Sequence, residues 1–152
     1  MSAGFSIRVR TGFILIVMIV VFAGLAWSQT FQTLHAFNGS DGSESGPLVW
    51  DGANHIFGAS FSGGHCSIQT GCGTVYEMTA TSSGWRFTPL YHFAGGADGK
   101  NPIGSLVLDS QRNIYGVTPE GGAFNKGTVF ELSPSKGGTW TKTTLYLSLI
   151  HI

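Results

Sequence analysis

Charge is scarce in this chain: Asp, Glu, Lys and Arg make up 11% of its 152 residues and cancel to a formal net of zero. No cluster of Lys and Arg occurs. That argues against a nucleic-acid partner, because phosphate binding depends on grouped cations. Cysteine is almost absent, with only Cys66 and Cys72, so the paired spacing of a structural zinc site is missing. After Gln29 no stretch shows helical periodicity, which excludes crossover helices. Nucleophile-elbow, phosphate-loop and paired-carboxylate patterns are absent as well. The sequence therefore nominates no catalytic residue, no cofactor and no metal. What it does hold is 23 glycines, many Ser and Thr, and short runs of aromatic and β-branched residues. Such a composition describes an all-β chain, and it carries too many apolar residues for disorder.

The amino terminus is different in kind. Arg8 and Arg10 precede an unbroken apolar run over residues 13–23, and in Ala26-Trp27-Ser28 the small residues Ala26 and Ser28 fall at the two positions a signal peptidase reads. This is the layout of a secretory signal peptide. Residues 1–28 are expected to be an apolar signal helix cleaved before Gln29. The alternative is an uncleaved anchor, although residues 12–27 fall short of the ~20 that a membrane-crossing helix needs. The exported remainder holds six basic and eight acidic residues, a net of −2.

That remainder is organised around residues 105–132, one complete copy of a unit that occurs twice; the first copy spans residues 47–78. Asp51 pairs with Asp109, Gly58 with Gly116, and the Gly63, Gly64 pair with Gly121, Gly122, all at an offset of 58. From Gly73, which pairs with Gly127, through Glu77, which pairs with Glu131, the offset is 54. The first copy thus carries four extra residues, and both cysteines lie in that insertion. Upstream, Leu34 and Phe37 match Leu90 and Phe93, and Asp41, Gly42 match Asp98, Gly99. Leu145 and Tyr146 open a third unit. A period near fifty residues belongs to repeat architectures.

Each unit reads as four short strands. In the first copy they are expected at residues 31–37, 48–50 and 55–60, with 85–93 as the outer strand. In the second they are expected at 106–108, 113–118, 128–132 and 139–146. Residues 38–46 are rich in turn formers and are expected to form a loop, and Asp51 and Asp109 to accept backbone hydrogen bonds in tight turns. Four antiparallel strands per unit are the pattern of a propeller blade or a sandwich. Stacked identical units bury faces that one sheet cannot bury alone. The expected fold is all-β, with four-stranded antiparallel blade-like repeats forming a partial β-propeller. Residues 29–146 would hold two repeats, about 31–89 and 90–144, and the start of a third. Residues 147–152 break the pattern and resemble adapter read-through, so they are expected to be a non-native tail on a chain that continues with more repeats.

Residues 113–118, Gly121 to Ala123, residues 127–132, and Leu145 with Tyr146 together resemble the GloVer tandem repeat of bacterial "choice-of-anchor" proteins. The likeness covers roughly residues 31–146. It implies an exported protein with β-propeller-like repeats and no assigned activity, in a family whose members are often attached to the cell surface through a variable C-terminal anchor. The first copy departs from the pattern in Phe57, Ser60 and its cysteine insertion.

Cys66 and Cys72 lie six positions apart in an exported chain, and an oxidising compartment favours a disulfide between them. The rival is a metal site with His65, which lacks a fourth ligand. Asp41, Asp98 and Asp109, with Asn54, Asn101 and Asn113, could offer oxygens to calcium, but no calcium-loop spacing recurs and turns need these residues anyway. Glu77 and Glu131 are expected on a solvated strand face. None of His35, His55, His65, His92 and His151 forms a recurrent pair with a Ser or a carboxylate. Trp50, Trp85 and Trp140 could stack on sugars, but packing between blades accounts for them better. The expected function is a non-enzymatic, exported binding or structural module, extracellular or at the cell surface, with periplasm or outer envelope as further locations. A glycan or a surface protein is its expected partner; membrane contact would come only through the signal segment or a missing anchor. The alternative is a fragment of an extracellular propeller lyase or glycoside hydrolase whose site lies in absent blades.

Overall fold

Aspartate-led turns punctuate the chain into short strands. Asp51 Oδ1 accepts the N–H groups of Ala53 and His55 (2.9 and 3.2 Å). Asp109 Oδ1 accepts those of Gln111 and Asn113 (2.9 and 2.8 Å). Each turn reverses the chain between two strands, as the side-chain chemistry of Asp predicts. In the computed structural model, which describes residues 30–66 and 68–151, nine strands result. The expected signal helix lies outside the described residues.

Sheet 1 contains β1 (Ser43–Ser45), β2 (Val49–Trp50), β3 (His55–Ser62), β4 (Thr74–Thr81) and β5 (Gly84–His92). Both β1 and β2 pair with β3, and β4 and β5 follow in order. Sheet 2 contains β6 (Ile103–Leu108), β7 (Ile114–Thr118), β8 (Thr128–Pro134) and β9 (Trp140–Leu147), paired in that order. Every strand pairing is antiparallel. A single 3-10 turn, Gly96–Asp98, lies between the sheets in sequence. The all-β expectation holds, with two differences. Residues 31–37 belong to no strand; His35 and Phe37 pack as side chains against Phe87 and Tyr76 instead. The expected loop at 38–46 contains β1, whose Ser43 and Ser45 pair with Ser62 and Ser60. With β4, the counterpart of the expected strand at 128–132, sheet 1 has five strands.

The core lies between the sheets. Phe57, Ala59 and Val75 of sheet 1 meet Leu106, Ile114, Phe130 and Leu132 of sheet 2, with Phe93 inserted edge-on to Phe130 at 5.1 Å. Strand alternation puts Tyr76 and Met78 on the opposite face of sheet 1 and Tyr115, Val117 and Val129 on the opposite face of sheet 2. The repeated glycine inside β3 and β7 has a packing cause. A Cβ on Gly116 would stand 2.5 Å from Phe130 Cζ, and one on Gly58 would collide with the Tyr76 ring. The glycine is a slot for the ring of the next strand.

A second device recurs at the loops. Gly42 (φ 138) and Gly99 (φ 88) lie against buried hydroxyl pairs, Ser60 with Thr74 (2.5 Å) and Thr118 with Thr128 (2.9 Å). At either glycine a Cβ would come within 2.6 Å of a hydroxyl oxygen. Each preceding aspartate closes its own loop. Asp41 accepts from Asn38 N–H and contacts His35 Nε2, while Asp98 accepts from Ala94 N–H and the Tyr91 hydroxyl. Lys142, only 5% exposed at its side chain, adds an ion pair to Asp98 at 2.9 Å. The register of β8 with β9 puts Lys142 opposite Leu132, where β4 with β5 puts Phe87 opposite Met78.

Candidate ligand groove between β2 and β6

Strand β2 of sheet 1 and strand β6 of sheet 2 stand side by side and line a groove of about 590 Å³. Sheet 1 contributes Val49, Trp50 and Asp51; sheet 2 contributes residues 106–109, Ser110 and Arg112. Trp50 is 65% exposed, yet its ring is held in place because Nε1 donates to Ala53 O at 2.9 Å. The aligned position of the second copy is Leu108, so this indole is unrepeated. An exposed, oriented aromatic face beside polar groups is the arrangement that stacks on a ligand ring.

The polar groups of the groove are largely occupied. Asp51 has a carboxyl held below the ordinary range: partial burial opposes this, and the N–H donors of Ala53 and His55 prevail. At Asp109 desolvation again opposes, and hydrogen bonds from Asn113, Tyr115 and Gln111 win. Both carboxylates stay ionised at neutral pH, as turn acceptors. At the groove's end Arg112 Nη2 reaches Glu77 Oε1 at 2.9 Å, and the guanidinium lies 5.5 Å from the centroid of the Phe57 ring. His55 Nδ1 contacts the same glutamate oxygen at 2.5 Å. The groove thus combines an exposed aromatic platform with two carboxylates engaged in their own turns and a tethered cation at its end.

The other candidates fall elsewhere. Cys66 and Cys72 are bonded to each other, with Cα atoms 5.8 Å apart. That bond takes the thiolates a His65 metal site would need. The Cys72 carbonyl accepts Asn101 N–H at 2.8 Å, and Asn101 Nδ2 donates to Phe61 O at 2.9 Å, so the cysteine loop abuts the connection to the second repeat. His65 and His92 stack edge to face at 4.7 Å. Burial, then the neighbouring His65, pushes the His92 imidazole below its ordinary value. Among the described residues no three of His, Cys, Asp and Glu converge as a metal site would require.

Two expectations change, those for Glu77 and Trp50. Glu77 is not on a solvated face: its side chain is 14% exposed and joins the sheets through Arg112. His35 and His55 each meet a carboxylate, Asp41 and Glu77, but neither pair recurs: the second repeat has Tyr91 and Asn113 at their places. Among the tryptophans, Trp140 packs against the core as expected while Trp50 does not. Only its lack of a counterpart in the second copy distinguished Trp50 in the sequence.

The profile of the Gloeobacter/Verrucomicrobia repeat matches residues 20–148. The chain belongs to this repeat family. Its match starts within the segment expected to be the signal peptide and runs one residue past β9. No curated protein and no solved structure matches the chain.

Proposed function

We propose that this member of the Gloeobacter/Verrucomicrobia repeat family is an exported or cell-surface β-propeller-type binding module. Its two sheets would be consecutive blades and the β2–β6 groove a glycan-binding site. The observation that carries the glycan reading is Trp50: exposed, fixed by its indole hydrogen bond and unrepeated, it forms one wall of a 590 Å³ groove. Aromatic stacking plus a few fixed acceptors is how a site takes a sugar face without needing charge. The basic start and apolar run before Gln29 support export, and the disulfide is in keeping with an oxidising compartment. The groove carboxylates Asp51 and Asp109 are engaged as acceptors within their own turns, which favours binding over turnover as the activity assigned. Glycan-array screening of the exported protein, followed by fluorescence titration of the positive oligosaccharides, tests this. Binding should shift the indole emission and be lost in Trp50→Ala with unfolding unchanged. Silence across neutral polysaccharides, or full binding by Trp50→Ala, would overturn it.

A further inference from the structure

The face of sheet 2 that points away from sheet 1 repeats, position by position, a face that is already covered. On sheet 1 the covered face carries Phe57, Ala59, Val75 and Glu77, the first three at 0, 2 and 0% exposure. The matching residues of sheet 2 are Tyr115, Val117, Val129 and Glu131, all partly exposed, and beside them Tyr146 is 57% exposed.

Three contacts cover the sheet 1 face. Phe93, Ile114 and Phe130 supply an apolar wedge. Asn101 clips to the carbonyls of Phe61 and Cys72. Arg112 latches onto Glu77. The free face has the same three receptors. Its valines lie open, Pro119 and Lys126 stand at the places of Phe61 and Cys72, and Glu131 stands at the place of Glu77. Glu131 accepts from Ser133 and Tyr115 hydroxyls and has no cationic partner among the described residues. Even the chain's track continues: Ser148 N–H donates to Gly127 O at 3.0 Å, as Phe93 N–H donates to Gly73 O at 3.1 Å.

We infer that this face is a docking surface for another repeat of the same family, one bearing a cation at the place Arg112 occupies here. Continuity with the existing interface and the unmatched charge of Glu131 select that partner. The first repeat of a second copy is a poor fit. It has Asn54 where Arg112 is required, and its residues 34–37 would compete for the place that residues 145–148 already fill. Glu131 therefore acts as a selectivity group for which repeat stacks next.

The test replaces residues 148–152 by a second copy of residues 93–147 and follows melting and amide exchange of the original repeats. A single transition at higher temperature, with Val117 and Val129 amides exchanging at least tenfold more slowly, is expected. Removing the cation in the added copy, or Glu131→Gln, should cancel part of that protection, and Val129→Lys should cancel it. An added copy that leaves the exchange of β8 unchanged, folded or not, overturns the inference, as does protection that survives Val129→Lys.

Discussion

Replacing Gly116 by Ala tests the packing rule that each repeat uses. The added methyl would stand 2.5 Å from Phe130 Cζ, 2.9 Å from its Cε1 and 3.0 Å from Leu106 Cδ2. Ordinary contact begins near 3.4 Å, so the ring would have to retreat by close to an ångström. It has little room, since Phe130 is fully buried and Phe93 stands edge-on at 5.1 Å. Overpacking of this kind costs about 1–3 kcal/mol. Against it, Ala loses less chain entropy on folding than Gly, a gain of roughly 0.4–1 kcal/mol. The clash wins, leaving a net loss of about 1–2 kcal/mol, or roughly 4–8 °C in melting temperature for a domain of this size. Gly46→Ala is the internal control, because its Cβ would meet only Ala59 O and Gly104 O at 3.5 Å; it should be neutral or slightly stabilising. Thermal unfolding by circular dichroism reads both, and Phe130→Leu should make Gly116→Ala less damaging. Equal melting of the Gly116→Ala and Gly46→Ala proteins would refute the slot.

Reducing the Cys66–Cys72 bond, or replacing both by Ser, should cost about 2–3 kcal/mol on the chain-entropy account, measured by urea unfolding with and without reductant. Arg112→Gln should loosen the sheet junction by about 1 kcal/mol. The half-exposed guanidinium discounts the ion pair, while its contact with Phe57 adds to the loss; the effect should shrink in high salt. Acid should destabilise the fold through Asp41 and Asp51, whose folded carboxyls sit below the ordinary 3.8. The unfolded chain then binds protons first, so their contribution is full above that value and fades as pH falls through the folded pKa. Unfolding free energies between pH 6 and 2.5 should show the decline, and Asp41→Asn should flatten it.

Strands and turns were legible in the sequence because they rest on local chemistry: alternation along β7 and β8, and aspartates that bond their own turns. β1 was not, because Ser43 and Ser45 pair with Ser62 and Ser60 without any apolar signal. The glycines at 58 and 116 fall inside the expected strands 55–60 and 113–118, but nothing in the sequence marks them as slots for a ring. Nothing along the chain says which ring will lie across a neighbouring strand. Glu77 was misread for the same reason, since its partner Arg112 is 35 residues away and in the other sheet. The groove was partly legible in Trp50, which has no aromatic counterpart in the second copy; its exposure depended on how β2 and β6 came together.

The strand β5 belongs to two units at once. Its residues Leu90, Tyr91 and His92 open the second repeat, yet they close sheet 1, with Tyr91 and His92 in register with Val75 and Thr74. Neighbouring repeats are therefore joined through a hydrogen-bonded ladder rather than by a free linker, and their relative phase is set by backbone pairing. A cut at the sequence boundary strips an outer strand from the unit before it, and a unit duplicated at that boundary arrives with its predecessor's edge already built. Gain or loss of whole repeats in this family would thus change the length of an array while leaving the angle between neighbours fixed.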